Sequence, residues 1–174
     1  MMPARSALLK YALGLLLAAI LAACGFHLRG SSDMAMPFKT IYLGFPDTST
    51  LGNALKRSIR GAGNTAVVTD AKEAEAILDV LSETREKSVL SLNSLGRVRE
   101  YTLMYTFKFR VKDGKNQELL APTEIMLRRD INYDDTQTLA KESEEAMLYR
   151  DMESDLVSQI MRRLSAIPAI PTLQ

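Results

Sequence analysis

Cys24 and His27 are the only cysteine and the only histidine in this chain of 174 residues. A thiol nucleophile or a Cys-rich metal centre would have to be built on Cys24 alone. A Ser-His-acid triad would have to use His27, which lies outside the segment that packs as a domain. Neighbouring carboxylates occur at Asp134-Asp135 and Glu144-Glu145. Such pairs suit acid–base work or cation binding, but near a helix start they more often act as caps and a solvated face. Gly61-Ala62-Gly63 follows a helical pattern, so it reads as a helix stop and not as a phosphate loop. Cations are more suggestive. Arg97, Arg99, Lys108, Arg110, Lys112, Arg128 and Arg129 fall on neighbouring strand-like segments. On one strand face, Lys108, Arg110 and Lys112 would form a row with steps of about 7 Å. That row suits the phosphates of a large anionic ligand; an ordinary solvated strand face fits the same pattern.

Cys24 sits in an informative context. Arg5 and Lys10 precede an apolar run, Tyr11 to Leu21, and small residues then lead to the cysteine. This is the layout of a secretory signal peptide. The run is well short of the ~20 apolar residues that span a bilayer. Leu21-Ala22-Ala23-Cys24 has the form of a bacterial lipobox, in which the sulfur is acylated and cleavage leaves the cysteine first. The alternative is an ordinary signal peptide with an incidental cysteine. The lone cysteine falls at the one position a lipobox requires, which favours lipidation. The expected covalent lipid is an S-diacylglycerol plus an N-acyl chain on Cys24, with no other cofactor.

Removing residues 1–23 leaves roughly 150 residues, enough for one core. With its sulfur acylated, the chain must fold in an oxidising compartment without a disulfide. Its formal net charge of +1 is small and becomes about −1 without the leader. The distribution is polarised. Ten Lys/Arg stand against five Asp/Glu between Arg85 and Arg129, and two against nine between Asp130 and Asp155. Nucleic acid is not an expected partner. An exported, tethered protein rarely meets any, and the aromatics lie on a buried face, not among cations.

The elements follow from periodicity. Residues 24–39 read as lipidated cysteine and tether, 40–167 as one domain, and 168–174 as a tail. Thr40 to Phe45 is β-prone and ends at Pro46-Asp47. Ser49 or Thr50 then caps a helix with Leu51, Leu55 and Ile59 on one face, stopped by Gly61 and Gly63. Ala76 to Leu92 reads as a long strand whose inward face is ambiguous across Ser82 to Ser88. Asn93-Ser94-Leu95-Gly96 forms a hairpin turn. Tyr101, Leu103, Tyr105, Phe107, Phe109 and Val111 then alternate with polar residues, so one face is buried and one is wet. Glu118 to Tyr133 is a fourth strand, edge-like at Pro122, with Ile125, Leu127, Ile131 and Tyr133 on one face and Arg129 interrupting them. A long amphipathic helix over Glu142–Ile167 closes the chain, with Tyr149, Met152, Leu156, Ile160 and Leu164 as its stripe, and Pro168 and Pro171 prevent its continuation. The expected class is α+β: a four-stranded, mostly antiparallel sheet with two helices on one face, in the order β-α-β-β-β-α.

Cys24-Gly25-Phe26-His27-Leu28-Arg29-Gly30 resembles the mature start of the LPS-assembly lipoproteins of the LptE (RlpB) family, where Cys-Gly-aromatic-His-Leu-Arg follows the signal. Glu100-Tyr101, Thr138-Leu139-Ala140-Lys141 and Arg162-Arg163-Leu164 are similar too. The likeness covers most of the mature chain in element order and specific residues in these patches. It implies a non-enzymatic lipoprotein anchored on the periplasmic side of the Gram-negative outer membrane. Gly25, not Asp, after the cysteine fits that sorting. It implies a plug in the LptD β-barrel and a protein that binds lipopolysaccharide during insertion into the outer leaflet. By this resemblance Lys141 is the first candidate contact for lipopolysaccharide. The family's turn between its second and third strands carries a basic residue, whereas Asn93 to Gly96 has none and Arg97 and Arg99 lie just beyond. Two other functions share parts of this pattern: a lipoprotein of the outer-membrane protein folding machinery, and a lipid-tethered periplasmic hydrolase that the shortage of catalytic side chains disfavours.

Overall fold

The computed structural model describes residues 35–168. Cys24, its leader, most of the expected tether and residues 169–174 lie outside them. The described residues form a five-stranded sheet in the order β2-β1-β3-β4-β5. The strands are β1 (Thr40–Leu43), β2 (Ala66–Val68), β3 (Ala76–Leu92), β4 (Val98–Asp113) and β5 (Glu118–Asn132). Two helices, α1 (Thr50–Ala62) and α2 (Thr138–Ser165), contribute to one core on the inner face.

The α+β class and the packing of two helices on the sheet hold. The strand count does not: there are five, and the order is β-α-β-β-β-β-α. The extra strand, β2, has only three residues, too short to show alternation. It pairs parallel to β1, which itself pairs parallel to β3, whereas β3–β4 and β4–β5 are antiparallel. The sheet is therefore mixed. Helix α1 is the crossover that lets β1 and β2 run in the same direction.

Helix α1 starts where Ser49 accepts a hydrogen bond from the Gly52 amide, 3.0 Å away. It stops at Gly63, whose φ of 79° is the left-handed cap that glycine adopts without a Cβ penalty. Its stripe, Leu51, Leu55 and Ile59, is fully buried. Strand β4 is the floor of the core: Leu103, Tyr105, Phe107, Phe109 and Val111 are all inaccessible to solvent. Above them lie Met152, Leu156, Ile160 and Leu164 of α2, equally buried. Met36 and Phe38, in the stretch expected to be tether, are buried in this core, so the packed domain begins before residue 40. Helix α2 begins a turn earlier than Glu142. Asp134 accepts from the Thr136 amide and shapes a 3-10 turn, Asp135–Gln137, that runs directly into Thr138.

Strand β3 explains its own ambiguity. Its pairing with β4 slips between Val80 and Ser82, where a bulge inserts one extra residue. Before the bulge the inward side chains are Ala76, Leu78 and Val80; after it they are Glu83, Arg85, Lys87 and Val89. A one-residue slip moves every later side chain to the other face. The charged residues of β3 therefore look towards α2.

Candidate functional site

Two charged assemblies occupy opposite faces of the sheet, and they differ in what they leave available. On the outer face, Lys108, Arg110 and Lys112 form the expected row, but acids meet it. Asp79 of β3 takes both Arg110 Nε, at 3.1 Å, and Lys112 Nζ, at 3.0 Å. Lys108 stands opposite Glu124 in the β4–β5 register. Beyond it, Arg128 is paired with Asp130, which also accepts from Thr102. These interactions hold the Asp130 carboxyl below its ordinary range, the Thr102 bond contributing most. This face is polar and locally compensated.

The inner face carries the second assembly, where the β3–β4 hairpin and the start of α2 extend beyond the apolar core. Its deeper part centres on Arg85. The guanidinium donates to the Tyr105 hydroxyl at 2.8 Å and to Glu153 of α2 at 2.9 Å, and lies 4.4 Å from the Tyr105 ring centroid. Tyr105 in turn donates to Glu83 at 2.6 Å. Thr50, at the start of α1, donates to the same Glu153 oxygen. Burial, seconded by Glu83, pushes the Tyr105 phenol well above the ordinary tyrosine range. Burial opposes the charge on Arg85, yet its hydroxyl and carboxylate partners outweigh it and hold that guanidinium more firmly protonated. The network ties β3, β4, α1 and α2 together.

The shallower part is a small cleft of about 80 Å³ containing Lys141, the residue singled out by resemblance. Thr138, Lys141, Glu142 and Glu145 face it from α2, the i, i+3, i+4, i+7 positions of one helix face. Lys87, Tyr101 and Tyr133 face it from the sheet side. The two tyrosine rings meet edge to face at 5.2 Å. Lys87 Nζ sits 4.3 Å from the Tyr101 centroid and 6.0 Å from that of Tyr133, an attractive cation–ring geometry. Its ammonium also meets Glu145 Oε2 at 2.6 Å. That hydrogen bond raises the Lys87 pKa above the ordinary lysine value. Lys141 reaches Glu144 at 2.9 Å.

Of the proposed contact residues, the structure brings Lys141 into the cleft between the hairpin and α2, while Arg110 and Lys112 line a separate depression with Asn116 and Glu118. Lys108, Arg110 and Lys112 lie on the other face. Arg97 and Arg99 flank the exposed hairpin turn, in which Asn93 Oδ1 accepts from the Leu95 and Arg97 amides. The Arg99 carbonyl accepts from the Tyr133 amide at 2.8 Å, which brings the hairpin against the link between β5 and α2. From sequence, Glu145 enters only as half of the Glu144-Glu145 acidic pair, not as a partner of Lys87; Arg85 and Lys87 are not singled out as site residues. Their signal was present in the alternation of Glu83, Arg85, Lys87 and Val89, but the bulge hides its continuity with Ala76 and Leu78. Cys24 lies outside the described residues. Among the described residues there is no cluster of three or more His, Cys, Asp or Glu placed to hold a metal, and no helix long and apolar enough to cross a membrane.

The profile of the family described as "LptE: Lipopolysaccharide-assembly" matches residues 38–164, which hold nearly all of the core and both charged assemblies. The chain belongs to the LptE family. The LPS-assembly lipoprotein LptE of Pectobacterium atrosepticum is 27% identical over 151 residues, covering 85% of this chain and 80% of that protein. Among solved structures, a lipoprotein B of Nitrosomonas europaea is 43% identical with a TM-score of 0.71, covering 82% of this chain and 91% of its own. The rare lipoprotein B of Shewanella oneidensis is 28% identical with a TM-score of 0.62, covering 74% and 95%. The LptE family comprises non-enzymatic lipopolysaccharide-assembly lipoproteins, and this chain is one of them.

Proposed function

We propose that the chain is anchored by acyl chains on Cys24 to the periplasmic side of the outer membrane. There it plugs and helps assemble an LptD-type β-barrel, and it binds lipopolysaccharide during insertion into the outer leaflet. The observation that carries this reading is the family match over residues 38–164, a single domain containing both the wet sheet face and the Lys141 cleft. Each face supports one half of the role. Wide outer-membrane barrels have polar interiors. A plug must offer them hydrogen-bonding groups without a large unpaired charge, and the outer face supplies interleaved Lys108, Glu124, Arg110 and Asp79. Lipopolysaccharide offers phosphates on sugars, and the Lys141 cleft supplies ammonium groups with aromatic rings beside them. More than one acyl chain at Cys24 would give firm anchoring, since a single chain holds only marginally.

The test is purification from detergent-solubilised outer membranes. An LptD-type barrel should accompany the native lipoprotein. Recovery with the barrel of the protein-folding machinery in its place would reassign the role. Depletion should leave the barrel misassembled and lipopolysaccharide missing from the cell surface; normal surface display would refute the proposal.

A further inference from the structure

We propose that the cleft between the hairpin and α2 is a phosphate receptor whose anion position is occupied by the protein's own Glu145, so that ligand binding is a displacement. The inference rests on the lipopolysaccharide-binding reading above and assigns Lys87 and Glu145 opposite parts in it.

The geometry is that of a filled site. Lys87 Nζ is held against the Tyr101 ring, with Tyr133 beside it, and its outward contact is a carboxylate oxygen at 2.6 Å. The rings fix the position of the cation, and Glu145 supplies the anion. A phosphate oxygen makes the same short charge-assisted bond to an ammonium, so it competes for the same place. Lys141, from the same helix face, lines the same cleft and is likewise covered by an acid, Glu144. Neither lysine needs to be created or moved far for an anion; each needs its carboxylate to swing away. Lys87, Glu145 and Glu144 are all partly solvated, so that exchange is cheap. The ligand class is a phosphorylated sugar, the phosphate taken by Lys87 and Lys141 and the sugar ring laid against Tyr101 and Tyr133. An internal competitor lowers affinity, which suits a protein that must hand its ligand on.

The consequence is a pair of mutations with opposite signs. Lys87→Gln and Glu145→Gln break the same ion pair. If that pair only docked α2 on the sheet, both would weaken binding together. As a self-occupied receptor, Lys87→Gln weakens binding by roughly two- to ten-fold, whereas Glu145→Gln tightens it by roughly two- to five-fold. Lys87→Arg keeps the charge and stays near the unchanged protein. Asp151→Asn, at an exposed position on the same helix, controls for bulk charge.

The measurement is equilibrium binding of the full lipidated protein in detergent to lipid A bearing both phosphates, with dephosphorylated lipid A as the comparison. The expected result is tighter binding by Glu145→Gln only, and only for the phosphorylated lipid. Weaker or unchanged binding by Glu145→Gln, equal tightening by Asp151→Asn, or indifference to Lys87→Gln overturns the receptor while the unchanged protein still binds and Lys141→Gln still weakens it. Failure of the unchanged protein to bind either lipid overturns both the receptor and the lipopolysaccharide-binding reading.

Discussion

Single side chains in the core set how much this domain can lose. Phe107 is fully buried and stacks on Phe45 at 5.6 Å and on Phe109 at 5.4 Å. Phe107→Ala removes a large apolar side chain and leaves a cavity, so it should cost about 3–5 kcal/mol in chemical denaturation. A negligible loss would mean that the sheet faces are reversed. Gly52 is a more local constraint. A Cβ there would lie 2.7 Å from Phe45 Cβ, within the ring stack, so even alanine must displace Phe45. Tyr105 makes a prediction in pH. Its phenol is raised in the folded state, by burial first and then by Glu83. The unfolded phenol ionises first, so the stabilisation is complete below the ordinary tyrosine pKa and is lost as pH rises towards the folded value. Burial also raises the Tyr149 phenol, so phenolate absorbance should show a late-titrating component in the native protein, and Tyr105→Phe should remove the Tyr105 share of it. A native titration in which every described tyrosine ionises normally would contradict the network around Arg85.

Secondary-structure elements differ in how openly their residues announce them. Helix α1 is local in origin: its cap, its apolar stripe and its glycine stop are contiguous. Ser49→Ala should cost about 1 kcal/mol in thermal or denaturant unfolding, because the Gly52 amide loses its acceptor. Strand β4 was equally legible, since its alternation extends through a buried floor with no interruption. Helix α1 and the buried face of β4 could therefore be read directly. Three features could not. Strand β2 gains its pairing from β1, and three residues cannot show a period. Strand β3 changes the face it buries at the Val80–Ser82 bulge, so its charged segment could not be assigned to either side from spacing. Helix α2 begins at Thr138 because a preceding 3-10 turn feeds it, although Gln137 itself provides no side-chain cap. The cleft inherits all of this difficulty. Lys141 was found through resemblance, but Lys87 and Glu145 meet across 58 residues of sequence, a pairing that only the folded arrangement brings about.

Across the molecule, the charge polarity of the sequence becomes contact between elements. The basic middle supplies Arg85, Lys87 and Arg129, and the acidic stretch returns along α2 as Glu153, Glu145 and Asp155 to meet them. The remaining contacts are distributed unequally. The C-terminal half of α2 buries Met152, Leu156, Val157, Ile160, Met161 and Leu164, whereas no residue before Met152 is buried. Every residue from Leu81 to Leu90 is exposed. Partly solvated ion pairs contribute about 0–1 kcal/mol each, far less than a stripe of buried apolar side chains. Local opening should therefore cost much less at the hairpin and the first turns of α2 than over the core. Native-state hydrogen exchange tests this directly. Protection should be greatest in Phe107–Val111 and Leu156–Leu164, and should fall towards Thr138–Met147 and across Leu90–Val98. Raising the salt concentration should weaken protection in Thr138–Met147 more than in the core, because screening acts on the ion pairs and hardly on apolar burial. Uniform protection along α2 would show that the charged contacts hold its first half as firmly as the core holds its second. The cleft of Lys87 and Lys141 would then be rigid, without the freedom that displacement of Glu145 requires.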